Sequence, residues 1–390
     1  MDIAILGGGV AGISSAIALK QRGFNVHIYE RHQEPSTIGA GVVIWPNAAY
    51  VLDQLNVLGE IKTVSGLPCA MQRTSNTGEC LGAIDIRLIN QAMGYPSFSI
   101  LRRDLQNILI ARLSSLGVDI HYSHTVTAIR SIAPQQAEVC FDNGVKLTAD
   151  VIVGADGRMA SYARRYVHGD NTPVYQGFIN WIGVYESTAE TFPDIAVSDY
   201  WGVGARFGIV PVSKQAAYWA GGVACANSGL RNPAKYKTEL LDIFSNWPQP
   251  IRQIIDQTSS DRINKIYVHD HDPIRTWYKN NLIAIGDAAH APLPTSGQGA
   301  CQALEDAWHL ANCLQDNPHD LPQAFSHFTN LRFEKTAAII NAARSFAASL
   351  FNRDAKFCVA RNQNSKNTDY EKVAAAMARG WSQHLPSARP

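Results

Sequence analysis

The chain has 390 residues, enough for two domains or for one domain carrying a large insertion, each able to bury a core. Apolar residues make up 46% and charged residues 17%, a globular balance that argues against a disordered or fibrous chain. A net charge of +1 supplies no broad basic surface for nucleic acid and no acidic bias, which leaves a small molecule as the expected partner.

Residues 2–6 read as a short buried strand, and 13–22 as a helix with apolar residues at helical spacing. Between them lies Gly7-Gly8-Gly9-Val10-Ala11-Gly12. Read as Gly7-x-Gly9-x-x-Gly12, these residues give a tight turn, close backbone approach to a pyrophosphate and close helix–strand packing. Free N–H groups at the helix start, around Ala11, then face the anion. A second strand at 25–29 ends at Glu30, about 20 residues on, where a carboxylate accepts a ribose 2′-hydroxyl. That context turns a weak motif into an adenine-dinucleotide site, open at this point to NAD or FAD. Arg31 admits a 2′-phosphate reading, which the adjacent Glu30 opposes by repulsion. A surface arginine lying beside adenine is the plainer reading.

Residues 39–47, which include Val43, form a glycine-punctuated apolar segment whose backbone passes close to a ligand before a helix at 48–58. Arg102 stands at the start of a helix striped by Leu105, Ile108, Leu109, Leu113 and Leu116, where it is either a phosphate contact or a solvated side chain. Strands at 137–141 and 145–147 flank the hairpin signal Asp142-Asn143-Gly144, and the next strand, 151–153, delivers Gly154-Ala155-Asp156-Gly157. From about 172 to 265, aromatic and β-prone runs read as an antiparallel sheet. A final strand at 282–285 runs into Gly286-Asp287-Ala288-Ala289-His290, then into Gly297-Gln298-Gly299 and a helix with Ala300, Ala303, Leu304, Ala307, Leu310, Ala311 and Leu314 on one face. The first fold resumes here after the insertion. The segment 322–390 is alanine-rich and helical in pattern.

Seven scattered cysteines without CxxC pairs encode neither a zinc site nor a disulfide framework, so no metal is expected and a reducing cytoplasm fits. The apolar start at 3–6 is too short for a signal sequence, and no run reaches the roughly 18 apolar residues of a membrane span. The expectation is a cytoplasmic protein with no transmembrane segment, a monomer or homodimer.

Three separated motifs, Gly7-x-Gly9-x-x-Gly12 with Glu30, Asp156-Gly157, and Gly286-Asp287 leading to Gly297-Gln298-Gly299, together resemble the group A flavoprotein aromatic monooxygenases with the para-hydroxybenzoate hydroxylase fold. The likeness runs over roughly residues 1–345, and segments 175–181 and 206–212 resemble most the salicylate and urate hydroxylase branch. The fold so implied is α/β: a Rossmann-like FAD-binding domain with an inserted, mainly antiparallel β-sheet substrate domain and a C-terminal helical segment. Its divisions would be 1–171 (with about 70–98 open to joining the substrate side), 172–265, 266–321 and 322–390.

The resemblance implies FAD as cofactor, NADH or NADPH as reductant and dioxygen as co-substrate. One oxygen would pass from a flavin C4a-hydroperoxide to a small aromatic or heteroaromatic substrate. It places Gly286 and Asp287 at the ribityl chain and pyrophosphate, and the backbone of Gly297, Gln298, Gly299, Ala300 and Cys301 at the isoalloxazine. Arg102 would support the flavin chain, Val126 would meet adenine, and Asp156 would serve both FAD and nicotinamide use. The usual continuation DGxxSxxR fails by one place: it would put serine at Ala160 and arginine at Ala163, whereas Ser161 and Arg164 sit one place later. Either the shift restores the geometry or the pyridine-nucleotide contact is altered.

In the sheet, Arg206 is a candidate partner for a substrate carboxylate or enolate, Asn180 for a ring substituent, and Tyr218 for orienting or deprotonating a phenol. Ordinary strand packing is the competing account of all three. Trp181, Trp201, Phe207, Tyr218 and Trp219 suggest an aromatic-lined pocket, subject to strand alternation. Three other activities share such a fold: a flavin halogenase, disfavoured because no WxWxIP-like motif occurs; a dehydrogenase or saturase; and a non-enzymatic FAD-stabilised binding protein. The apolar stretch 336–351 would hold a quinone, dock on a membrane or pack in the core.

Overall fold

The computed structural model describes residues 1–35, 40–133, 136–226, 229 and 231–386; Gly39, expected beside the ligand, lies outside them. Two large sheets organise the chain. The first has the order Tyr278–Lys279, Leu282–Ala284, Val151–Gly154, Asp2–Leu6, Asn25–Tyr29, Ile120–His121, and only the first of these runs antiparallel. Its central strands are apolar along their length because both faces are covered, as the burial of Ile3 and Val151 on one face and of Ala4 and Ile152 on the other shows. The helices Val10–Gln21 and Gly299–Asp316 pack on each other, and both bury apolar residues in this core.

The second sheet has the order Asn264–Asp270, Val174–Glu186, Ala216–Ala224, Ala205–Pro211, Ala196–Trp201, Ala70–Ser75, Cys80–Asp85. It is antiparallel except where Ala196–Trp201 meets Ala70–Ser75. Residues 70–85 therefore join the substrate-side sheet. The strand Asn264–Asp270 crosses the boundary expected at 265, because its pairing with Val174–Glu186 keeps it in this sheet. The Asp142-Asn143-Gly144 hairpin forms as read, joining Gln136–Phe141 to Lys146–Ala149, with Val126–Ala133 as third strand.

Alternation divides the second sheet's side chains. Ile179, Trp181, Phe207, Ile209, Ala217 and Trp219 form a core with the helices Tyr236–Phe244 and Ile251–Gln257. On the other face Phe178, Trp201 and Val268 pack against Ala343, Ala347, Leu350 and Phe351 at the end of the long helix Leu321–Leu350. The apolar stripe of 336–351 is thus occupied by core packing, with Ile340, Ala343, Ala347 and Leu350 nearly inaccessible. No described helix is long and apolar enough to cross a membrane.

Candidate active site

The glycine turn has three different steric reasons for its three glycines. A Cβ on Gly7 would lie 2.2 Å from the Ala155 carbonyl oxygen, and one on Gly12 would lie 1.9 Å from the Gly7 carbonyl oxygen, so both positions are closed by backbone. A Cβ on Gly9 would meet nothing within 4 Å. Gly9 also begins the helix Val10–Gln21 without a side-chain cap, and the first intrahelical bond is Ile13 N–H to the Gly9 carbonyl. The N–H groups of Val10, Ala11 and Gly12 precede that bond, an arrangement suited to a phosphate. Glu30 borders the turn, its Oε2 accepting the Gly8 N–H at 2.6 Å and its Oε1 the His32 N–H at 2.9 Å. A carboxylate retains further lone pairs for a ribose hydroxyl.

Gln106, absent from the sequence reading, donates to the Gly8 carbonyl at 3.3 Å. It stands one turn after Arg102 on the helix Arg102–Ser115, so the exposed Arg102 shares the side that meets the glycine turn. The i, i+4 spacing of Arg102 and Gln106 was the available signal. Arg31 is exposed, and Val126 is half-buried at the first position of its strand.

The second strand–loop–helix return meets the first directly. Gly286 adopts φ +56, and a Cβ there would lie 2.9 Å from that of Ala11. Asp287 remains 40% exposed, with Arg158 Nη1 3.6 Å away. Gly297 adopts φ +60, and its carbonyl accepts the Trp45 Nε1–H at 2.9 Å. The helix Gly299–Asp316 again lacks a side-chain cap, so the N–H groups of Gly299, Ala300 and Cys301 precede its first internal bond, Gln302 to Gln298. The Cys301 thiol points at the Val43 carbonyl at 3.5 Å, and burial pushes it up to about 12, so it is a neutral thiol.

Asp156 has a local structural task. Its carboxylate accepts Ser161 Oγ–H at 2.5 Å, Tyr162 N–H at 2.6 Å and Ala163 N–H at 3.0 Å, at the start of the helix Tyr162–His168. Burial still pushes its pKa above the ordinary carboxylate value. The one-residue shift in this motif has a steric counterpart. A Cβ on Gly154 would come within 2.1 Å of that of Ala163, so a long side chain has no space at 163. Arg164 is buried instead and donates to the Ala288 and Ala289 carbonyls at 3.2 and 3.0 Å, tying this helix to the Gly286 loop.

Beneath both returns lies a buried ion cluster that the sequence reading missed. Asp306 accepts the Gly286 N–H at 2.8 Å, His290 Nε2 at 2.5 Å and Arg332 Nε at 2.7 Å. Burial alone would raise the Asp306 carboxyl, but His290 and Arg332 hold it down at about 2. Glu305 pairs with Arg332 and Lys335 and accepts Asn47 Nδ2 at 2.7 Å. Two carboxylates and two cations thus compensate each other where unpaired charge would be costly. His290 is buried in this cluster, with its Nε2 engaged by Asp306.

The substrate-side candidates converge. Asn180 and Arg206 lie directly opposite Gly222 from its two neighbouring strands, and Tyr218 lies opposite Val184 and Val210. Opposed residues share a face, so all three project to one side, above Gly208, Ala220 and Gly222. Arg206 Nε donates to Asp199 Oδ1 at 2.5 Å, Asp199 Oδ2 accepts Trp201 Nε1–H at 2.8 Å, and the guanidinium lies over Gly208. The Tyr218 ring lies over Gly41, where a Cβ would collide at 1.9 Å. Its packing raises the phenol's pKa, with the Cys301 thiol raising it further and Arg206 opposing, although the ring keeps some accessible surface. Tyr218, over Gly41, and Cys301, at the Val43 carbonyl, both meet the strand Gly41–Ile44, which links the substrate-side and flavin-side candidates.

The expected aromatic pocket is only partly found. Trp181, Phe207 and Trp219 are on the opposite face, in the core with the two short helices, because their parity along the strands is opposite to that of Arg206 and Tyr218. Trp201 shares the site face. A cavity of about 280 Å³ lies elsewhere, between Asn47, Tyr50, Tyr95 and the tail residues Leu385 and Pro386, and touches neither Arg206 nor Tyr218.

Two uncapped helix N-termini, an open glycine and a carboxylate at the end of the second strand make this a dinucleotide-binding architecture. Residues 1–317 match the family model of the FAD binding domain. The chain belongs to that family, as an FAD-dependent monooxygenase of the urate and salicylate hydroxylase branch. It is 30% identical over 350 residues to an FAD-dependent urate hydroxylase of Mycolicibacterium vanbaalenii, covering 88% of this chain and 87% of that one. It is 31% identical over 335 residues to an aurachin C monooxygenase/isomerase of Stigmatella aurantiaca, covering 86% of each. Among solved structures, Klebsiella pneumoniae HpxO complexed with FAD and uric acid superimposes with a TM-score of 0.90 at 24% identity, covering 99% of this chain and 98% of that one.

Proposed function

We propose that the protein hydroxylates a small, planar, electron-rich aromatic or heteroaromatic ring, with NADH or NADPH as reductant. The overall change would consume the ring substrate, dioxygen, NAD(P)H and a proton, and yield the hydroxylated ring, water and NAD(P)⁺. One observation carries the reading: Arg206, Asn180 and Tyr218 share one sheet face above a floor of Gly208, Ala220 and Gly222, and Tyr218 lies over Gly41, on the strand whose Val43 carbonyl meets the Cys301 thiol. A flat floor bounded by polar ends suits a ring with polar substituents.

FAD, held by the Gly7–Gly12 turn, Glu30, the Gly286 loop and the start of the Gly299 helix, would supply electron transfer and activation of dioxygen. The chain's own residues would bind and orient the ring. Arg206, anchored through Nε, directs its terminal nitrogens to a carbonyl, carboxylate or enolate oxygen. Asn180 donates or accepts at a second substituent. Tyr218 closes the site over Gly41; its raised pKa keeps it a protonated donor at neutral pH, which favours an orienting role over that of a base. A cytoplasmic location belongs to the same reading, on the scattered cysteines of the sequence.

The test is a screen of the purified FAD-loaded protein for ring compounds that accelerate NAD(P)H-dependent bleaching of the flavin, followed by product mass. A gain of one oxygen supports hydroxylation. Flavin reduction that yields only desaturated or unoxygenated products overturns it.

A further inference from the structure

The last described helix, Tyr370–Trp381, lies beyond the segment matched by the FAD-binding family model, yet it ends against the flavin-side loop. Trp381 is 9% exposed, and its ring centroid is 4.9 Å from that of Trp45, tilted by 42°. Trp45 is itself buried, and its one polar atom donates to the Gly297 carbonyl. The fit is close, since a Cβ on Gly297 would sit 3.3 Å from that nitrogen.

A second path leaves the same residue through its backbone. Lys335 Nζ donates to the Trp381 carbonyl at 2.6 Å and the Gln383 carbonyl at 3.1 Å, completing the end of the helix. The same ammonium donates to both Glu305 oxygens at 2.9 and 2.8 Å. Glu305 holds Asn47, whose amide also reaches Gln298 Oε1 at 3.0 Å. The ring of Trp381 thus leads to Gly297, and its carbonyl leads to Gln298.

We propose that Trp381 is a positioning residue for the FAD site: packed against Trp45, it fixes the Gly297–Gln298 turn in the shape that receives the flavin ring. The proposal rests on reading residues 297–301 as the flavin-facing segment. A core position alone would account for burial, but not for two separate connections ending on adjacent residues of one functional loop. Trp45 is the intermediary, because its indole N–H links the aromatic pair to the Gly297 carbonyl.

The experiment compares full-length Trp381→Leu, Trp381→Phe, Trp45→Phe and the double variant Trp45→Phe/Trp381→Leu, with Gly297→Val as a control on the loop. Thermal unfolding of the apoprotein reports folding; flavin fluorescence titration and the visible spectrum of bound FAD report the site. Trp381→Leu is expected to weaken FAD about tenfold and shift the flavin absorption envelope, and Trp381→Phe to stay within about twofold of the parent. In the Trp45→Phe background, Trp381→Leu should cost little further affinity, since interacting residues do not act additively. Full additivity, or normal FAD affinity in a Trp381→Leu protein that merely melts earlier, overturns the proposal. If Gly297→Val binds FAD normally, the assignment of the loop falls first, and the proposal with it. Should Trp381→Leu fail to fold, Trp45→Phe, which keeps an aromatic ring against Trp381 and removes the hydrogen bond to Gly297, must still weaken FAD for the proposal to stand.

Discussion

Asp199 holds Arg206 by the guanidinium nitrogen that is least useful to a ligand: Nε is engaged at 2.5 Å, and the two terminal nitrogens extend over Gly208 toward the site. Trp201 fixes the other Asp199 oxygen, so the carboxylate cannot swing. Asp199→Asn should therefore impair ring binding almost as Arg206→Ala does, while FAD stays bound. We expect substrate-stimulated flavin reduction to fall about 10- to 100-fold, the order of loss that follows misplacement of a binding group. Stopped-flow reduction with and without the ring compound measures it; an unchanged stimulation would remove Arg206 from the site.

Gly222 separates Asn180 from Arg206, and a Cβ there would come 2.4 Å from Asn180 Oδ1 and 3.0 Å from the Phe351 ring. Gly222→Ala should leave FAD affinity unaltered but displace the Asn180 amide, raising KM for the ring about tenfold with a smaller change in kcat. Steady-state kinetics resolve the two constants. Equal loss in FAD binding and in KM would show that this position supports the cofactor instead.

The cofactor half was far more legible in the sequence than the substrate half, and the reason is locality. Gly7, Gly9, Gly12 and Glu30 sit in one strand–turn–helix–strand run, and Gly286 and Gly297 in another, so spacing alone exposes them. Arg206 and Tyr218 were recoverable as candidates, but their common side depends on strand register. Once that parity is fixed, Phe207 and Trp219 must face away, which removes most of the expected aromatic pocket. Asp199, Gln106 and the Glu305–Arg332–Lys335 cluster were missed because each acts through partners brought together only by the tertiary fold. For the cluster, charged residues at 305 and 306 inside an apolar helical stripe were the hint available.

The glycine turn separates binding from folding. Gly12→Ala drives a methyl into the Gly7 carbonyl and should destabilise the protein by about 1–3 kcal/mol. Gly9→Ala meets no protein atom within 4 Å and should leave the apoprotein's unfolding midpoint unchanged. It should still weaken FAD, because the methyl occupies the approach to the uncommitted N–H groups of Val10, Ala11 and Gly12. Denaturant titration beside flavin fluorescence distinguishes the two. If Gly9→Ala binds FAD like the parent, the pyrophosphate does not lie over this turn.

His309 should give the protein a steep acid dependence of stability. It is 4% exposed, its Nε2 has no described partner, and burial, aided by Arg332, pushes its pKa down to about 3. The unfolded chain takes up a proton near the ordinary histidine value of 6.5, while the folded chain refuses it until about 3. The unfolded state therefore binds more protons between those limits, and stability falls as pH falls, by at most about 1.4 kcal/mol per pH unit from this group. The Asp306 carboxyl has the same sign in a lower window: its contribution is full above its ordinary value of 3.8 and is lost as pH drops through about 2. His309→Leu removes the first dependence and leaves the second. Urea unfolding at pH 7 and pH 5 should show a loss of about 1–2 kcal/mol in the parent that is absent in the variant. Equal losses in both would mean that His309 takes up its proton in the folded chain, with the buried cluster opening to admit it.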